Sequence, residues 1–137
     1  MSTAAAGYSP RVRSLFSALE GAGDLPEAAG AEVSGEAVAL DRLAWVRFAA
    51  RIDARRISDC RFRAFGCPHT LAAASLVATQ LRGAPIDAGL VLDAARLKRE
   101  LDAPAEKMGR LLVVEDALRN LLDGARRVQY QRRWPSP

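Results

Sequence analysis

The reactive side chains of this 137-residue protein crowd into one stretch, where both cysteines and the single histidine lie within Cys60-Arg-Phe-Arg-Ala-Phe-Gly-Cys67-Pro-His69. An ionised thiol is a metal ligand and a sulfur nucleophile. Two cysteines this close do not make a disulfide framework, so each is expected as a free thiol in a reducing compartment. Proline favours the first helical position, so Pro68 sets Cys67 at a helix N-cap. There unpaired backbone N–H groups and the positive end of the helix dipole favour a thiolate. Gly66 lets the backbone turn sharply to present it. The competing reading is a small buried residue filling a strand–helix corner. His69 lies two residues on, and side chains at i and i+2 do not face each other on a helix, which argues against a Cys–His nucleophile–base pair. It reads as a solvent-facing residue of the first turn, with metal ligation as the alternative. Cys60 shares a strand face with Phe62 and reads as a packed, inert thiol. Glu115-Asp116 is an acidic pair as compatible with a solvated helix face as with a site. There is no Gly-rich phosphate loop, Cys-x-x-Cys or His-Glu-x-x-His, and no Ser/His/Asp set can be placed.

The elements that must position these residues follow from periodicity. Ser9-Pro10 caps a short helix carrying Val12, Leu15, Phe16 and Leu19 on one face, stopped by Gly21 and Gly23. Residues 21 to 36 lack periodicity and read as a loop into a first strand near 36 to 40. Ala44 to Ile52 alternates, with Val46, Phe48, Ala50 and Ile52 opposite Arg47 and Arg51. Ile57 to Phe65 alternates again, with Cys60, Phe62 and Ala64 opposite Arg61 and Arg63. The two segments predict an antiparallel hairpin through Asp53 to Arg56, with Phe48 and Phe62 facing the helices and the arginines facing away. After Cys67 the period changes to 3.6, predicting a helix ended by Gly83, then a second over Asp87 to Leu101 and a third opened by Pro104. Strands followed by helices indicate an α+β fold, a small antiparallel three-stranded sheet with helices packed on one face.

With 50% hydrophobic and 26% charged residues, the chain has the composition of one globular domain spanning 1–137, long enough to bury a core without disulfides or a structural metal. No run reaches the ~18 apolar residues of a membrane span, and the start lacks the features of a secretion signal, so the expected location is the cytoplasm, away from membranes. Of its 20 basic residues 18 are arginine, against 16 acidic ones. An arginine-rich surface suits an acidic partner or nucleic acid. The alanine-rich composition makes coding bias the stronger explanation. The densest basic run, Arg126, Arg127, Arg132 and Arg133, reads as part of a flexible tail over 126–137.

The run from Ile57 to Ser75 resembles the central signature of the U-type iron-sulfur cluster scaffolds, IscU and the N-terminal domain of NifU. In that family a strand of the form Arg-Phe-x-x-aromatic-Gly delivers a ligand cysteine to the start of an Ala/Ser-rich helix. Arg61, Phe62, Phe65, Gly66, Cys67, Ala72 and Ser75 match it. Pro104-Ala-Glu-Lys107 is similar to the proline-rich, lysine-ended segment that the family's Hsp70-type chaperone recognises. Glu115 and Asp116, with Ala117 and Leu118, are similar to the acidic pair of its final helix. Tyr8, Ser9, Val12, Phe16 and Gly23 fit its leading helix and loop. The departures are as informative. The family's first ligand cysteine falls around Asp41 or Arg42, its third ligand at Arg110 and the preceding histidine at Gly109, so only Cys67 of the usual ligand cysteines is kept. A cluster usually takes four ligands, mostly thiolates, which one protein cysteine does not supply. Asp41, Cys60 and His69 are the candidate auxiliary ligands.

The resemblance implies a SufE/IscU-like fold and a scaffold-type role in iron-sulfur cluster assembly. Iron, persulfide sulfur or a transient cluster would be bound through Cys67 with help from a partner or a second subunit. It implies a cysteine desulfurase and an Hsp70-type chaperone as partners. A homodimer, holding metal between two copies of Cys67, is the other association it leaves open. The alternative is a pseudo-scaffold that regulates the assembly machinery through protein contacts without metal. A third reading, a basic module contacting an acidic partner or nucleic acid through Arg47, Arg51, Arg61 and Arg63, ranks last because that face lacks interleaved aromatics. No second catalytic group can be placed beside Cys67, so an enzyme is not expected.

Overall fold

The computed structural model describes residues 8–87 and 92–133. Helix α1 (Pro10–Ala18) starts where expected, with the Ser9 hydroxyl accepting from the Val12 N–H at 3.2 Å, and it stops at Leu19, whose φ of 45° breaks the helical run. Three strands follow, β1 (Ala31–Ala39), β2 (Ala44–Asp53) and β3 (Arg56–Phe65), forming an antiparallel sheet in the order β1-β2-β3. A 3-10 turn over Leu40–Arg42 joins β1 to β2. The β2–β3 hairpin closes through Ala54 and Arg55, at φ of 50° and 65°. That is the double left-handed geometry a two-residue hairpin needs, here without the usual Asn-Gly.

Phe48 and Phe62 face each other across the hairpin and are 0% and 2% exposed, as alternation predicts. Burying a side chain of that size contributes roughly 1.5–3 kcal/mol. Arg47, Arg61 and Arg63 lie on the opposite face. Arg51 also points away from the helices yet is only 7% exposed, because the segment before β1 covers it and the Pro26 carbonyl accepts from its guanidinium at 2.6 Å. The face is not an open basic surface. Asp24 takes a two-pronged contact from Arg63 at 2.8 Å, and Asp59 pairs with Arg61 and Arg82.

The first strand begins at Ala31, inside the segment expected to be loop. Its alternation, Val33 and Gly35 inward against Glu32, Ser34 and Glu36 outward, is carried by short residues of low strand propensity, so it is faint in the sequence. Helix α2 (Pro68–Leu81) runs as expected and is buried almost all round. Ala72, Ala73, Ala74, Val77 and Ala78 are fully enclosed by β3, α1 and the later helices. Helix α3 (Ala94–Leu101) is shorter than expected because Asp93 caps it, accepting from the Arg96 N–H at 2.8 Å. Residues 88–91 of the expected helix lie outside the described residues. Pro104 does not open a helix directly. It leads a 3-10 turn over Ala105–Lys107, and helix α4 (Met108–Arg133) follows.

Helix α4 lies across β1 and β2. Gly35 permits that approach, since a Cβ there would lie 2.7 Å from the Leu121 Cα and the Asn120 carbonyl carbon. The basic residues Arg126, Arg127, Arg132 and Arg133, expected in a tail, fall within α4. Residues 134–137 lie outside the described residues. Among the described residues, no helix is long and apolar enough to cross a membrane.

Candidate functional site

Cys67 occupies the N-cap of α2 with Pro68 at the first helical position, as the spacing predicts. Its thiol lies 3.7 Å from the Thr70 hydroxyl, and Thr70 is fully buried. Gly66 is required in front of it, because a Cβ there would come within 2.9 Å of Thr70 Oγ1. Strand β3, glycine and buried threonine together fix the thiol at the mouth of a cavity of about 310 Å³.

Two other segments complete the wall. The 3-10 turn between β1 and β2 brings Asp41 and Arg42, and the first turn of α4 brings Arg110. The family's three ligand positions, as placed by the resemblance, thus converge on one cavity from three separate parts of the chain. The groups presented there are a thiol, a carboxylate and two guanidiniums. Arg42 lies so close over Gly109 that a Cβ at 109 would overlap its guanidinium, and it pairs with the exposed Asp41 at 2.7 Å. The space beside Gly109, where the family's histidine would stand, is filled by the Arg42 side chain. The Arg110 Nε is buried and has no hydrogen-bond partner. Leu43 and Phe65, 69% and 64% exposed, form an apolar rim.

The other candidate residues lie elsewhere. Cys60 is fully buried in the core on the helix-facing side of β3 and does not line the cavity. Burial pushes its thiol up to about 12. His69, read from the sequence as solvent-facing, is 2% exposed and packs against Tyr8 with ring centroids 4.9 Å apart. Neither ring nitrogen has a hydrogen-bond partner. Burial, then the positive charges of Lys107 and Arg110, hold its pKa below the ordinary histidine value. Helical spacing alone missed this, because the chain ahead of α1 covers the first turn of α2. Pro104 and Lys107 bracket the 3-10 turn before α4. Glu115 clasps two helices, accepting from the Ala94 N–H at 2.8 Å and pairing with Arg119 at 3.0 Å, whereas Asp116 is exposed.

Guanidinium groups have no acceptor and cannot ligate a metal. The cavity therefore offers iron one thiol and one carboxylate, short of the four ligands a cluster takes. Among the described residues, no group of three or more His, Cys, Asp and Glu side chains is placed to hold a metal ion. Sequence reasoning identified Arg42 and Arg110 only as positions where ligands are missing. Their joint presence in the cavity is a product of the fold.

Comparison with known proteins agrees with this fold. The IscU scaffold proteins for iron-sulfur cluster assembly from Rickettsia prowazekii and Escherichia coli are each 30% identical to the chain over 63 residues, covering 46% of it. Iron-sulfur cluster assembly protein 2 of Arabidopsis thaliana is 28% identical over 68 residues. The match spans about half the length of these curated relatives, 42% to 49%. Two crystal structures share the fold. A putative iron-sulfur cluster assembly scaffold protein for the SUF system from Fervidobacterium islandicum superposes with a TM-score of 0.69 at 16% identity, covering 84% of this chain and 96% of that one. An N-terminal NifU-like protein from Brucella abortus gives 0.62 at 17% identity, covering 90% and 94%. The model of the NifU-like N terminal domain matches residues 8–130, almost everything from the cap of α1 to the last turns of α4, and the chain belongs to that family.

Proposed function

We propose that the protein works in iron-sulfur cluster assembly as a scaffold-type protein whose sulfur acceptor is Cys67. One observation carries the reading: the three segments where the family keeps its ligands close around one cavity, and the thiol at its mouth is Cys67. Acceptance is a thiol exchange. The Cys67 thiolate attacks the outer sulfur of a donor persulfide, the donor's S–S bond breaks, and the donor cysteine leaves as a thiolate while Cys67 keeps the sulfur. The natural donor is a cysteine desulfurase, and the apolar rim of Leu43 and Phe65 suits contact with such a protein. Iron or a transient cluster would be cargo, held only when a partner or a second copy of the chain adds thiolates. Asp41 is the auxiliary ligand within reach of the cavity. The turn from Pro104 to Lys107 is the segment an Hsp70-type chaperone would engage. This role needs no catalytic group, and its free thiols fit a reducing compartment such as the cytoplasm.

The test is to incubate the reduced protein with a cysteine desulfurase and cysteine, then examine tryptic fragments by mass spectrometry, where Arg61 and Arg63 separate the two cysteines. One added sulfur is expected on Cys67, none on Cys60, and none anywhere in Cys67→Ala. Absence of sulfur on Cys67 would refute the proposal in favour of a pseudo-scaffold that docks on the assembly machinery without cargo.

A further inference from the structure

The cavity beside Cys67 carries arginine, at Arg42 and Arg110, where the resemblance places family ligands. Around one thiol it carries two guanidiniums and one carboxylate, all from side chains the fold brings together. Asp41 offsets Arg42 at 2.7 Å, so the guanidinium of Arg110 is the excess positive charge beside the thiol and favours an anion there. Three observations make it more than a charged surface. The Arg110 Nε is buried without an acceptor, and a buried donor left unpaired is costly until something accepts from it. Arg42 is seated over Gly109 in space that any other residue at 109 would take. The cavity's volume, about 310 Å³, admits a small tetrahedral oxyanion beside the thiol.

We infer that this is an oxyanion site, and that Cys67 takes sulfur directly from a sulfur oxyanion with a transferable sulfane sulfur, of which thiosulfate is the simplest. The inference rests on the reading of Cys67 as a sulfur acceptor and names a small-molecule donor for it. The step is balanced without any further reactant. The Cys67 thiolate attacks the sulfane sulfur of thiosulfate, the S–S bond of thiosulfate breaks, and sulfite leaves with the electron pair. Cys67 is left as the persulfide anion. Charge on the departing sulfite oxygens grows as that bond breaks, and the unpartnered Nε of Arg110, with Arg42 in the same cavity wall, would donate to it.

The experiment treats the reduced full-length protein with thiosulfate, measuring sulfite release and the mass of the Cys67 fragment, beside a parallel sample loaded by a cysteine desulfurase. Expected is one sulfur on Cys67 and one sulfite per chain, with no release from Cys67→Ala. Arg110→Ala and Arg42→Ala should each slow loading about tenfold, the worth of one charge-assisted hydrogen bond, with partial recovery in Arg110→Lys. Competing sulfate should slow the wild type and have little effect on Arg110→Ala. A protein that the desulfurase loads but thiosulfate does not would overturn this inference and leave the acceptor reading standing. Failure of both donors would overturn both. Thiosulfate loading at equal rates in the wild type and both arginine variants would overturn the oxyanion site.

Discussion

Replacing Cys60 by alanine should flatten the alkaline side of the protein's stability profile. Cys60 is fully enclosed, and burial pushes its thiol up to about 12, with the nearby Arg82 charge only partly offsetting the effect. In the unfolded chain the same thiol titrates near ~8.5. A folded pKa above the unfolded one means that this contribution to stability is complete below ~8.5. It is lost as the pH rises towards 12, at up to about 1.4 kcal/mol per pH unit. At pH 10 the unfolded thiol is almost entirely ionised and the folded one almost entirely protonated, a difference of about 2 kcal/mol. The assay is urea unfolding of the wild type and Cys60→Ala at pH 7.5 and pH 10 under reducing conditions. Groups common to both proteins, Cys67 included, cancel in the comparison, and the cost of removing the sulfur atom is the same at both pH values. The wild type should therefore lose about 2 kcal/mol more than the variant, near 1 M in midpoint for a typical urea slope. Equal losses would refute the placement of Cys60 as a neutral core thiol.

Two further outcomes follow from the same structure. Gly35→Ala should destabilise the fold by about 1–3 kcal/mol, read as a lowered thermal midpoint, because its Cβ meets helix backbone that cannot rotate away. Anaerobic reconstitution of the monomer with ferrous iron and sulfide should leave iron far below one cluster per chain. A stoichiometric chromophore in the visible on a proven monomer would contradict the ligand count.

The parts of this molecule legible in its sequence are those whose signals are local. Pro68 and Gly83 punctuate α2 at both ends, so the N-cap position of Cys67 could be read from spacing. Alternation around Phe48 and Phe62 fixed the hairpin register because a slip by one residue would bury arginines. Strand β1 begins earlier than expected because Val33 is its only large inward residue, and its inward Gly35 matters through α4, which arrives from far along the chain. His69 was misread for a related reason. A polar residue in a first helical turn reads as exposed, and tertiary cover, Tyr8 included, makes His69 an interior residue. In the cavity, Cys67 announced itself through its neighbours. Arg42 and Arg110 carry no local signal and acquire their meaning when the β1–β2 turn meets the start of α4.

The crossing of α4 over Gly35 has a mechanical consequence for the cavity. Leu121 rests on that glycine, and about 16 Å of helix, at ~1.5 Å per residue, separates it from Arg110. A rigid tilt of about 5° about that contact would swing the Cα of Arg110 by about 1.4 Å. That travel is enough to make or break a hydrogen bond, whose useful range spans only about half an ångström. A bulkier residue at position 35, in the edge strand of the sheet, would therefore shift the cavity wall that carries Arg110 as well as the helix it meets.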